Sequence, residues 1–213
     1  MPFWRRLARW ILFSLGERTE VFGFEVRAIL LDRTSLPTII NKLTSALELL
    51  ATHAPVRLAA LRRDVSQIVV LPLPNLASYT HWDRVCMLNC DVVTWTKAEP
   101  DWIALLLVHE GTHARLRRAG FGNEDAVRAR IERICITAEL IVAQRLPNAK
   151  IYKKVAEARL DRPPSEYTDE ARRLRESEHL DTLGANLRRN GVAGRFLYWI
   201  SRPIIRALSG RAA

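Results

Sequence analysis

The sequence runs out of acid before it ends: no Asp or Glu follows Asp181, while Arg188, Arg189, Arg195, Arg202, Arg206 and Arg211 do. Cysteine is scarce as well. Three residues, Cys86, Cys90 and Cys135, cannot form a disulfide framework, so the expected compartment is reducing and cytoplasmic. Long apolar runs are missing. The stretch "WILFSL" at 10–15 is far below the ~20 residues of a membrane span. It follows basic residues as a signal peptide would, but "GERTEVFG" offers no small-x-small cleavage pattern, so no export signal or transmembrane helix is expected. Internal repeats, low-complexity tracts and named nucleic-acid motifs are absent too, which makes a nucleic-acid partner unlikely despite a formal charge of +10.

What is present is enough apolar residue to bury a core: 48% of 213 residues are hydrophobic and 26% are charged, the balance of a folded domain. Three regions are expected. Residues 1–20 form a basic amphipathic N-terminal helix, with Trp4, Leu7, Ile11 and Leu15 at helical spacing over 3–16 and Arg5, Arg6 and Arg9 elsewhere on the wheel. Residues 21–190 form the main domain, and 191–213 a basic amphipathic tail.

Within the main domain, Ile39, Ile40, Leu43, Leu47 and Leu50 predict a helix over 36–51, with Pro55 beyond its end. "QIVVLPLP" at 67–74 is strand-like until its prolines. "RVCMLNCDVVTW" at 84–95 predicts more β structure, drawn as a hairpin around Asn89. Pro100 opens a helix with Asp101 in its first turn, Arg115, Arg117 and Arg118 in its last, and Gly120 as the stop. A second helix, capped by Asn123, is expected to run to about Leu146, where Pro147 ends it. Residues 150–161 and 168–189 read as helices around a 161–167 loop. The fold class is α+β, mostly helical, with a small sheet beside the two central helices.

The first of those helices carries "LLLVHEGTHARLRRAG" at 105–120. His109 and His113, four residues apart on a helix, project from one face and can hold one Zn²⁺ together. Glu110 is turned so that it reaches a water on the metal rather than the metal itself. A shuffled sequence would spell the pattern in about 1% of cases, so context matters. The apolar run "IALLLV" before His109 puts that imidazole in a buried region, where it needs a partner.

A catalytic zinc site needs a third protein ligand and an open position. The short "GFGN" loop sets the two helices antiparallel. Gly111, the midpoint of the histidine pair, lies about 12 Å up the first helix, and Glu132 about 13.5 Å up the second, so the two come level. Glu139, at about 24 Å, overshoots by two turns, and Glu124 sits at the wrong end. Glu132 is therefore the expected third ligand, although Arg128, one turn before it, offers a surface ion pair instead.

These residues resemble the zincin metallopeptidases, and among them the gluzincin type with a glutamate as third ligand. The resemblance rests on "LLLVHEGTHARL" and more loosely on "RIERICITAEL", about a fifth of the chain. Arg115 departs from the usual hydrophobic residue. No third histidine follows closely, which excludes the metzincin pattern. The second helix lacks the Asn-Glu-x-x-x-Asp surroundings of thermolysin-like enzymes, so the carboxylate that would support a histidine is unassigned. The resemblance implies a zinc-dependent hydrolase, a peptidase, in which His109, His113 and Glu132 hold Zn²⁺. The metal would make its water acidic, and Glu110 would take that proton and return it to the leaving amine. Tyr167 and His179 are candidates for steadying the oxyanion, and residues 84–96 for the strand that pairs with an extended peptide. Nothing assigns a substrate-binding pocket.

The Cys86-x₃-Cys90 spacing reads as alternate strand residues rather than a second metal site, and Cys135, one turn from Glu132, either lines the site or joins the core. The alternative to an enzyme is a zinc-containing module without catalysis. Its Trp4, Trp10 and Trp199, flanked by arginines, would bring it to an anionic membrane surface or a protein partner.

Overall fold

The computed structural model describes residues 16–29, 36–73, 75–81, 83–94, 99–122, 125–168, 170–171 and 174. The N-terminal helix at 3–16, the tail from 191, His179 and nearly all of the helix expected at 168–189 lie outside these residues. The fold is α+β, as its sequence pattern implies. Five strands form one mixed sheet: β1 (Glu17–Val21), β2 (Phe24–Ala28), β3 (Gln67–Leu71), β4 (Ala77–Thr80) and β5 (Val85–Asn89), in the order β1-β2-β3-β5-β4. The helices are α1 (Leu36–His53), α2 (Pro55–Asp64), the short α3 (Cys90–Thr94), α4 (Pro100–Arg118), α5 (Asp125–Ala143) and α6 (Lys150–Leu160), followed by a 3₁₀ turn, Pro164–Tyr167.

The strands β1 and β2 form a hairpin through Phe22 (φ 53°) and Gly23 (φ 78°), both left-handed, as a two-residue turn with the right twist requires. Residues 17–20, expected in the N-terminal segment, belong to this hairpin. The hairpin is hard to read in the sequence because "ERTEV" has one apolar residue, and the alternation of Phe24, Val26 and Ala28 in "FEVRA" covers only five positions. From β2 the chain crosses through α1 and α2 to β3, which runs parallel to it, and β5 lies parallel to β3 on the other side. Ile68, Val69 and Val70 are fully buried on both faces of β3, which is why this strand reads as an unbroken apolar run.

No hairpin turns at Asn89. The chain instead enters α3, where the Asn89 side chain accepts from the Asp91 N–H (3.0 Å) while its amide donates to the Leu73 carbonyl (2.8 Å). The partner of β5 in an antiparallel pair is β4, upstream of it. Cys90 accordingly opens a helix, and the two cysteines are not alternate residues of one strand. Pro55 marks less a helix end than a helix start: it occupies the first turn of α2, where its missing N–H costs nothing.

Helix α4 is the centre of the packing. It touches α1, α2, α5 and β4, and residues 103–110 are buried without a break. A helix apolar all round belongs inside. Its start is tied down by Asp101, whose carboxylate accepts from the Asn148 N–H (3.0 Å) in the turn after α5. Its end is a Schellman motif: Gly120 has φ 87°, its N–H reaches the Arg117 carbonyl (3.0 Å), and the Phe121 N–H reaches Leu116 (3.1 Å). Gly111 lies against α2, where a Cβ would come within 2.7 Å of Leu61 Cδ1.

Candidate metal centre

His109 and His113 sit on α4 and Glu132 on α5, and their polar atoms converge. The two Nε2 atoms are 3.1 Å apart. Glu132 Oε2 is 3.4 Å from His109 Nε2, and Oε1 is 3.3 Å from His113 Nε2. The levelling of the two antiparallel helices is therefore what brings Glu132 to the pair. Zinc bonds of about 2.0–2.2 Å to nitrogen and oxygen, arranged tetrahedrally, place neighbouring donors about 3.3–3.5 Å apart. Each imidazole lies at that spacing from one oxygen of Glu132, and the two Nε2 atoms are slightly closer at 3.1 Å, so this residue set fits zinc with a small spreading of the histidines.

Glu139 corrects the expected geometry. Helix rise alone sets it two turns beyond the histidine pair, yet its carboxylate bonds His109 Nδ1. His109 sits above the midpoint of the pair, and both side chains are long. Glu139 is seven residues from Glu132, two turns along the same face of α5. It takes the supporting position that the sequence left unassigned. An Nδ1–H donated to Glu139 leaves the Nε2 lone pair free for a metal. Glu139 is in turn held by Arg159 of α6, whose Nη1 is 3.1 Å from each carboxylate oxygen. Nothing in the local sequence pointed to Arg159, because its approach depends on how α6 packs on α5.

The charges follow from burial and pairing. Burial works to lower the His109 pKa, but the Glu132 and Glu139 carboxylates outweigh it and hold it up at about 10. Burial works to raise Glu132, and hydrogen bonds from His109 and His113 outweigh that, holding its carboxyl well below the usual range. Glu110 is buried with no exposed face, and desolvation pushes its carboxyl up, opposed by the two histidines. Burial, then the charge of Glu110, pushes the Cys86 thiol of β5 well up. Cys135 is fully buried beside the histidines: one donor atom from each of His109, His113 and Cys135 lies within 4.8 Å of the others. Burial, then the charge of Glu132, pushes its thiol far up.

One expectation about substrate contact changes. The strand within 84–96, β5, cannot supply the pairing edge, because it is covered on both sides, by β3 and β4. The outer strand beside α4, among the described residues, is β4. The Tyr167 hydroxyl donates to the Arg159 carbonyl (2.5 Å) and braces α6; burial raises its pKa, and the charge of Glu132 adds to that. No family model matches the chain, and neither a curated protein nor a solved structure matches it. Among the described residues no helix is long and apolar enough to cross a membrane.

Proposed function

We propose that the chain is a zinc-dependent hydrolase acting on peptide bonds, in the manner of the zincin metallopeptidases that its motif resembles. The observation that carries the reading is the triangle of His109, His113 and Glu132 donors with Glu110 buried beside it and Glu139 behind His109. Three protein donors leave a fourth position open, which is the arrangement of catalytic rather than structural zinc. Bound there, zinc would polarise a carbonyl and bring the pKa of water toward neutrality.

The chain's own residues then have distinct tasks. Glu110, with its pKa raised by burial, accepts a proton at its carboxylate and delivers it to the departing amine. Glu139 fixes the ring of His109, and Arg159 fixes Glu139. Among the described residues β4 is an outer strand of the sheet beside α4, the place where an extended peptide would add. A reducing compartment such as the cytoplasm suits its three free cysteines. Contact of its basic ends with an anionic membrane surface is compatible with this.

The test is hydrolysis of a quenched peptide library by zinc-loaded protein, with Glu110→Gln as control. Cleavage that disappears in the variant while zinc content is unchanged supports the reading. Cleavage of equal rate in both would assign the activity to a contaminant.

A further inference from the structure

The donor set around the histidines does not end with Glu132. Cys135 follows it by three residues, so both project from the same face of α5 toward α4. The sulfur is fully buried, and with the two imidazoles it forms a compact group of donor atoms no more than 4.8 Å apart. Zinc bonds of about 2.3 Å to sulfur and 2.0–2.1 Å to nitrogen set neighbouring donors about 3.6 Å apart, so against the 4.8 Å limit the donors need to close by about 1.2 Å at most.

Neither other cysteine shares this position. Cys86 lies on the sheet, and Cys90 begins α3 with its thiol 3.7 Å from the Asp91 carboxylate.

We propose that Cys135 Sγ is a fourth protein donor to the metal held by His109, His113 and Glu132. Glu132-x-x-Cys135 is then the second half of a two-helix site whose first half is His109-x-x-x-His113. On binding, the thiol gives up its proton to solvent and the thiolate takes the position that water would otherwise occupy. The centre therefore has a closed, thiolate-bound state in which hydrolysis is held in check, in exchange with the open, three-donor state in which the zinc-loaded protein cleaves peptide. The inference rests on the metal reading above, and its test separates the two.

Cobalt(II) in place of zinc makes the coordination shell visible. The full-length protein, loaded with Co²⁺, should show visible d–d bands of a tetrahedral site together with a near-ultraviolet thiolate-to-cobalt charge-transfer band. That band should vanish in Cys135→Ser and persist in Cys86→Ser. Visible bands without the charge-transfer band in the unmodified protein would overturn the role of Cys135 and leave the His–His–Glu site standing. No cobalt uptake at all would overturn both. Zinc X-ray absorption on the unmodified protein gives an answer that needs no variant. A sulfur scatterer at about 2.3 Å is expected, and a shell of nitrogen and oxygen alone at about 2.0–2.1 Å would refute the proposal.

Discussion

Replacing Glu139 by glutamine isolates the support behind His109. The change preserves volume but removes the charge that meets both His109 Nδ1 and Arg159 Nη1. In the wild-type protein both carboxylate oxygens accept. In the variant one becomes an NH₂ group, and whichever neighbour faces it meets donor against donor. If the amide oxygen turns to His109, the Nδ1–H bond survives in weakened form and Arg159 loses one acceptor. If it turns to Arg159, His109 loses its partner and its ring is free to reorient. Either way the imidazole becomes less basic and less fixed. Losses of this kind cost about 10–100-fold in metal affinity, or about 1.4–2.7 kcal/mol. Competition for zinc with a chromophoric chelator reads this directly, and circular dichroism checks that the helices remain. Arg159→Leu should show a smaller loss in the same direction, since it acts on His109 only through Glu139. Zinc affinity within twofold of wild type in Glu139→Gln, with the fold intact, would refute the idea that this carboxylate tunes the site.

Other outcomes follow from the same contacts. The metal-free protein holds His109 protonated to about pH 10, so zinc must displace a proton at pH 7–8. Calorimetry in buffers of different ionisation enthalpy should show that release, and affinity should rise with pH up to about 10; a pH-independent affinity would contradict the pairing. In that metal-free state the raised His109 pKa contributes stability that is complete below its unfolded value near 6.5 and lost as pH rises through about 10. The depressed Glu132 acts oppositely: its contribution is present above its unfolded value near 4.5 and fades as pH falls. Denaturation midpoints of apo protein across pH would record both trends. Gly120→Ala forces a side chain onto φ 87° and should cost about 1 kcal/mol by urea unfolding. Gly111→Ala should cost about 1–3 kcal/mol, because its Cβ meets buried Leu61, and Leu61→Ala in the same chain should recover part of the Gly111→Ala effect.

The parts of this fold written in local pattern were open to reading in the sequence. The stripe from Ile39 to Leu50, the Pro100 start and Gly120 stop of α4, and the apolar β3 each follow from side-chain period and backbone chemistry. The short "GFGN" connection then placed Glu132 level with the histidines by helix rise alone. What escaped depended on pairing across the chain. β1 hardly alternates and β2 does so over only five residues, and α2 carries Arg57, Arg62, Arg63 and Asp64 within ten residues, which masks its buried Leu58 and Leu61. Buried Asp64 is intelligible only once Arg63 (3.1 Å) and Arg118 (3.0 Å) are seen around it. The β5 segment looked like a hairpin because its partner β4 is short and polar. Glu139 is not legible from helix rise, because its side chain and that of His109 reach well away from the height of their Cα atoms.

The central claim is that two helices hold one metal ion through His109, His113 and Glu132. Elemental analysis of the purified full-length chain, beside His113→Ala and Glu132→Ala, tests it most directly. The account predicts about one zinc per chain in the unmodified protein and a loss of it in both variants, with helical content retained. An unmodified protein that takes up no zinc, even after unfolding and refolding with the metal, would mean that the donors converge without serving a metal, and the account would fall.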